Sequence, residues 1–271
     1  MNLSEALEIN TVRIECDNGS VGTGFFYSLK TKKENVEVPF IVTNKHVIEG
    51  ANAINIHLHT ENIDTGKENN HKIFHVGDIQ KLFAFHPESS VDLCALPVGG
   101  IFNALAYERE IPRYFSFNED DLLENHRSKK SLGAIEEVHM TGYPNGIWDQ
   151  VNNKPITRRG ITATNISDNW QGRNEFMIDM ACYPGSSGSP VYVYNNGPFM
   201  HEGKLVHGER VILLGILRAG PQILANGDVR IVDVPTSQRA ISTTALMMNL
   251  GIIIKASELD YLIEKFKGEL S

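Results

Sequence analysis

The sequence predicts an all-β protein, a sandwich or barrel and not an alternating α/β fold. Most of the chain breaks into short β-branched or aromatic runs bounded by Gly, Asn, Asp or Pro, turn signals recur every ~8–12 residues, and helical periodicity is scarce. In the first half, strands are expected at Thr11–Cys16, which stops at Asp17-Asn18-Gly19, at 36–43, where Phe40, Ile41 and Val42 run up to Asn44, and at 53–59, which holds Ile54 and Ile56. In the second half they are expected at 138–141, closed by Gly142, at 176–180, at 190–193, opened by Pro190, and along the apolar run 211–217. One stretch reads as a helix: in 256–267, Leu259, Leu262, Ile263 and Phe266 fall at i, i+3, i+4 and i+7. Ser257 can cap it, and a first turn at Lys255 or Ala256 is equally compatible. The acidic piece 118–124 is a weaker candidate with Asn118 as N-cap. Between the strand-rich halves, the charged segment 107–131 (ERE, NEDD, ENHRSKK) reads as a linker, and no long repeat or low-complexity tract occurs.

Composition removes several classes of function. The 271 residues carry a formal net charge of −8 with no basic block, which argues against nucleic acid as the main partner. A hydrophobic content of 41% with 21% charged residues is that of a folded chain. Apolar runs such as 211–214 fall far short of the ~18 residues that a membrane span needs. The start, MNLSEALEIN, has no basic or apolar leader pattern, so no signal peptide is expected. Cys16, Cys94 and Cys182 are too few for a disulfide framework, and a cytoplasmic protein is the expectation.

Several sites can be set aside. His57 and His59 share a strand face and His71 and His75 are four apart, but neither pair has Cys, His or carboxylate companions at zinc spacing. HEGKLVH at 201–207 is too long for a zincin motif, and Gly203 spoils its helix. The Gly-Lys pairs lack the upstream glycine of a phosphate-cradling loop. An α/β-hydrolase needs an acid and then a histidine after its serine, and the histidines behind Ser187 are His201 and His207 alone, with Glu202 the one acid between them, which leaves no room for a crossover sheet. No metal and no cofactor is expected.

Three contexts remain, in the order His, Asp, Ser: His46 in IVTNKHVIEG, Asp92 in SSVDLCALPV and Ser187 in ACYPGSSGSPVYV. A serine hydroxyl is a poor nucleophile until an imidazole accepts its proton, and a shielded carboxylate fixes that imidazole in one tautomer. Val91 and Leu93 would shield Asp92. Gly185 and Gly188 let the backbone turn so that the N–H groups of Gly185 and Ser187 converge on an oxyanion.

At these residues the sequence resembles the chymotrypsin-like serine peptidases, most closely the bacterial trypsin-like branch that includes the Htr/Deg proteases. The resemblance rests on VGTGFFY, VTNKHV, VDLCAL, TGYPNG, RRGITA, YPGSSGSPV, LLGILRAG and LGIIIKAS, in that order over about residues 10–257. It implies two packed six-stranded antiparallel β-barrels in a single peptidase domain. The first would span about 10–106 and the second about 132–255, joined by the 107–131 linker and followed by the helix at 256–267. His46 would be general base and acid, Asp92 its orienter and Ser187 the nucleophile, with the N–H groups of Gly185 and Ser187 as oxyanion hole. A polypeptide substrate would pair with 217–220. Ala181 and Cys182 would lie at the base of the specificity pocket and Gly220 and Gly251 on its walls. With no acid there, a small-to-medium apolar side chain is expected before the scissile bond.

The sequence departs from the family at three places. Ser186 and Ser189 replace the usual acid or amide and second glycine of the nucleophile loop. Arg218 stands where a small residue faces the triad acid, and either pairs with Asp92 or points away. No PDZ-sized segment follows Ser257. The expected function is a serine endopeptidase. The alternative is a peptidase-fold binding module, or a latent protease that waits for an activating partner.

Overall fold

The computed structural model describes residues 1–30, 37–123, 132–201, 203–229 and 240–269. A short helix, α1 (Leu3–Glu8), opens it, fixed by a capping box between Asn2 and Glu5. The first half continues through β1 (Thr11–Cys16), β2 (Val21–Lys30), β3 (Glu37–Thr43), β4 (Ile54–Asn62), β5 (Glu68–Val76), α2 (Ile79–Leu82), β6 (Ala84–Phe85), β7 (Cys94–Pro97), α3 (Gly99–Tyr107) and β8 (Glu110–Arg113). The second half contains β9 (Glu137–Gly142), β10 (Ile156–Thr162), β11 (Glu175–Asp179), β12 (Pro190–His201), β13 (Lys204–Ala219), β14 (Gln222–Val229), β15 (Ala240–Met247), β16 (Leu250–Lys255) and α4 (Glu258–Glu269).

The protein is all-β, and its ladders are antiparallel. In the second half β10-β11-β16-β13-β12-β9 close into the six-stranded barrel that was expected, with β14-β15 as a separate ribbon. The first half is larger: β5-β4-β1-β2-β3-β7-β6 lie side by side, β8 adds to β4, and among the described residues the path does not close. Part of that difference comes from the segment read as a linker. Its residues Glu110–Arg113 form β8, whose four residues pair with 59–62 of β4. Residues 124–131 of that segment, and residue 36 of the strand expected at 36–43, lie outside the described residues.

Each sheet has its own apolar core, and a third cluster joins the two. Phe25, Tyr27, Phe40 and Val42 of the first sheet meet Tyr192, Leu213, Ile216 and Ile254 of the barrel. Burying each such side chain is worth roughly 1.5–3 kcal/mol, so the cluster holds the halves together. The expected C-terminal helix forms as α4, with Leu259 and Leu262 buried in this shared cluster and Phe266 4.9 Å from the Phe40 ring. The side chain of Ile263 lies outside the described residues. The 118–124 candidate shrinks to one 3-10 turn, Glu119–Asp121, capped by Asn118 as expected. It stops because Leu122 turns extended and bridges to Leu213 in the shared core.

Candidate active site

His46 occupies a single 3-10 turn, Lys45–Val47, directly after β3. Three bonds stitch that corner to the loop before β7. The Asn44 side-chain amide donates to Asp92 O at 2.8 Å, and Lys45 Nζ donates to the carbonyls of His86 at 3.1 Å and Glu88 at 3.0 Å. Asp92 then engages His46 twice, Oδ2 lying 2.5 Å from Nδ1 and Oδ1 accepting from the His46 N–H at 3.1 Å. In the neutral ring a proton on Nδ1 leaves Nε2 as the acceptor.

The loop carrying Ser187 is shaped by two glycines in the left-handed region, Gly185 at φ +83° and Gly188 at φ +87°. A Cβ at Gly185 would lie 2.6 Å from Tyr143 O, and one at Gly188 would lie 2.0 Å from Thr23 O. Two carbonyls around Ser187 are tied back: Pro184 O accepts from the Asn145 N–H at 2.5 Å, and Ser186 O from the Ser189 N–H at 3.0 Å. Because a trans peptide sets C=O and N–H on opposite sides, the N–H groups of Gly185 and Ser187 face the other way. Among the described residues neither N–H has a partner.

Thr23, which sequence analysis did not single out, couples the sheets at this point. Its Oγ1 donates to Gly185 O at 2.9 Å, its N–H donates to Ser187 O at 2.9 Å, and its carbonyl accepts from Thr43 Oγ1 at 2.8 Å. The signal was its place between Gly22 and Gly24, where small neighbours allow close approach.

His46 and Ser187 line one cavity of about 220 Å³ with Cys182, Tyr183, Leu217 and Gly220. Among the described residues the Ser187 hydroxyl makes one hydrogen bond, a long one of 3.5 Å to Arg218 O. Arg218 is the extra residue where the β13–β16 register shifts, a bulge beside the site. Of the two orientations open to its side chain, the structure has the one pointing away from Asp92, with Nε 2.9 Å from the buried Glu175 carboxylate.

The residues assigned to the specificity pocket divide. Cys182 is buried in the cavity wall, a Cβ at Gly251 would lie 2.7 Å from its Sγ, and one at Gly220 would lie 3.3 Å from its Cβ. Burial pushes the Cys182 thiol up to about 11, so it remains neutral. Neither Ala181 nor Gly251 lines the cavity: the Ala181 carbonyl turns away to accept from Arg158 Nη1 at 2.5 Å, and Gly251 sits behind Cys182, facing Leu217 and Ile178. Arg158 Nη2 also donates to Ser186 Oγ at 2.7 Å. Nothing local in RRGITA distinguishes Arg158 from Arg159, which is exposed and pairs with Glu137 at 2.8 Å. Ser189 keeps its turn with a fully buried hydroxyl that has no partner among the described residues, in room left by Gly142.

The histidine pairs set aside above pair differently. His57 meets His71 at 2.7 Å and Glu15 at 3.3 Å, while His75 bonds Asn55 at 3.0 Å. Among the described residues no three potential ligands converge as a metal site. Among them, too, no helix is long and apolar enough to cross a membrane.

Comparison with known proteins places the fold in a family. The trypsin-like peptidase domain family matches residues 22–198, and the chain belongs to it. No curated protein matches the chain. Among solved structures, Rv3671c from Mycobacterium tuberculosis H37Rv, in an inactive form with a serine-to-alanine change, is similar at 14% identity and a TM-score of 0.49 over 97% of this chain and 89% of that one. The MamO protease domain from Magnetospirillum magneticum has 14% identity and a TM-score of 0.41, covering 94% and 96%. The thermostable serine protease AL20 from an extremophilic microorganism has 10% identity and a TM-score of 0.45, covering 98% and 99%.

Proposed function

We propose that this chain is a serine endopeptidase, a single domain whose two strand-rich halves meet at the site. Ser187 Oγ attacks the scissile carbonyl carbon and His46 Nε2 takes its proton. Asp92 holds the imidazole and stabilises the imidazolium, and the N–H groups of Gly185 and Ser187 receive the oxyanion. His46 then protonates the leaving amine, and water releases the acyl group by the same steps. No cofactor enters this chemistry. An extended polypeptide adds alongside 217–220 by β-augmentation. The neutral Cys182, with Gly220 on the wall, suits a small-to-medium apolar side chain before the cut. Three free, buried cysteines favour a reducing compartment, the bacterial cytoplasm.

The observation that carries this reading is the doubly bonded His46–Asp92 pair sharing a cavity with Ser187, beside two unpartnered N–H groups. One observation favours the alternative of a latent enzyme or binding module. The Ser187 hydroxyl is directed to Arg218 O and not to His46, so attack requires that bond to break, which a substrate or an activating partner would drive. Intact mass after fluorophosphonate treatment tests both. A single adduct on wild type and none on Ser187→Ala is the expected result, and no adduct on folded wild type would refute an assembled site. Ser187→Ala and His46→Ala should each lower turnover by on the order of 10⁵–10⁶, and not additively.

A further inference from the structure

Resting on the peptidase reading above, we propose that Arg158 is a positioning residue that holds the oxyanion-hole loop in its working shape. The guanidinium comes from β10 and grips the nucleophile loop at two points, Ala181 O through Nη1 and Ser186 Oγ through Nη2. Those anchors bracket Pro184 and Gly185, the two residues whose shared peptide aims the first oxyanion N–H. Ser186 is fully buried, so its hydroxyl has no water to replace the guanidinium.

The cost of keeping Arg158 there indicates a purpose. Among the described residues no carboxylate faces it, its Nε is buried without a partner, and burial pulls its pKa below the usual guanidinium value. A partly buried cation without a counter-charge is unfavourable by itself. A planar fork with diverging donors can span a carbonyl and a hydroxyl at once, which a lysine ammonium on a flexible stem does poorly. Without the clamp, the tethers left on the central peptides are the Asn145 N–H on Pro184 O, Thr23 Oγ1 on Gly185 O and the Ser186 N–H on Tyr183 O, and none of them holds the Gly185 N–H itself. The 184–185 peptide then turns more freely and its N–H leaves the hole. That loss falls on the transition state, while an extended substrate still pairs along 217–220.

The test compares Arg158→Ala, Arg158→Lys, Ser186→Ala and the Arg158→Ala/Ser186→Ala double variant in the full chain. The readouts are steady-state hydrolysis of a peptide that wild type cleaves, and amide hydrogen exchange over 182–187. Arg158→Ala should lower kcat by about 10²–10³, the size of a lost oxyanion donor, with KM within about threefold of wild type. Arg158→Lys should recover little, whereas guanidinium ion at sub-denaturing concentration should restore part of the Arg158→Ala rate. Ser186→Ala should cost less, and the double variant should be no worse than Arg158→Ala alone. A kcat for Arg158→Ala within about threefold of wild type would overturn the proposal, as would a loss that follows lowered stability and resists guanidinium rescue. A wild type that neither turns over peptide nor takes a fluorophosphonate would defeat the peptidase reading instead. Hydrogen exchange then still decides the clamp, since unchanged protection over 182–187 in Arg158→Ala refutes it.

Discussion

Gly188 and Gly19 offer a controlled comparison, because both sit at φ +87° and only one is crowded. Alanine at either position must take a left-handed backbone, at about 1–2 kcal/mol. Around Gly19, in the turn between β1 and β2, nothing lies within 4 Å of the added Cβ, so Gly19→Ala should cost little beyond that strain. At Gly188 the new carbon would lie 2.0 Å from Thr23 O and 2.6 Å from Thr43 Oγ1. Carbon and oxygen normally approach to roughly 3.3 Å, so the loop or β2 must retreat by more than about 1 Å.

That retreat pulls on three bonds at once: Gly188 N–H to Leu217 O at 2.9 Å, Thr23 N–H to Ser187 O at 2.9 Å and Thr43 Oγ1 to Thr23 O at 2.8 Å. Each is worth about 1 kcal/mol net, and overpacking itself adds roughly 1–3 kcal/mol. Gly188→Ala should therefore destabilise the protein by about 4 kcal/mol or more, some 3 kcal/mol beyond Gly19→Ala. Urea unfolding of both variants, extrapolated to water with a common slope, measures the difference. Equal destabilisation within about 1 kcal/mol would refute the crowding argument, because strain alone would then suffice.

Two further predictions concern buried charge. Burial pushes the His59 imidazole from 6.5 down to about 4, and its Nε2 lies 3.0 Å from Asn153 O. The unfolded chain therefore binds the extra proton first, and stability present above pH 6.5 is lost as the pH falls towards 4, by up to about 3 kcal/mol. His59→Gln keeps a donor for Asn153 O and should flatten urea-midpoint-versus-pH curves over that window, so an unchanged slope would contradict the assignment. Glu175 and Arg218 form a largely buried pair at 2.9 Å, so Glu175→Gln should cost about 3 kcal/mol, while Glu175→Leu with Arg218→Leu should be near neutral. Equal losses for the single and the double change in urea unfolding would show that the pair itself supplies net stability.

His46, Asp92 and Ser187 were legible in the sequence because each displays a polar, chemistry-bearing side chain in a distinctive local setting. The glycines around Ser187 were legible for a related reason: a positive φ and close approach leave few other residues to choose from. β5 and β8 were not, since their residues are mostly exposed or half-buried and show no apolar alternation. Thr23, Asn145 and Arg158 escaped notice on other grounds. Asn145 acts through its main-chain N–H, and Thr23 and Arg158 act on atoms 162 and 28 residues away respectively. The Thr23 contact depends on how the barrel meets the first sheet, and those of Asn145 and Arg158 on how distant loops of the second half meet, neither of which strand periodicity encodes.

That meeting determines the character of the site. The first sheet supplies His46 and Asp92, and its Thr23 also bonds the carbonyls of Gly185 and Ser187 in the loop before β12. The approach of Ser187 to His46 across one cavity is therefore a property of the contact between the halves and of neither half alone. The shared cluster holds that contact from one side, and α4 reinforces it by burying Leu259 and Leu262 there. The same helix reaches both partners through Glu258, which pairs with His86 at 3.0 Å and accepts from Asn174 Nδ2 at 2.7 Å. His86 in turn offers the carbonyl that Lys45 Nζ holds, next to His46. Contacts therefore run from α4 through His86 and Lys45 to the corner that carries His46, and the helix braces that corner as well as covering the apolar seam.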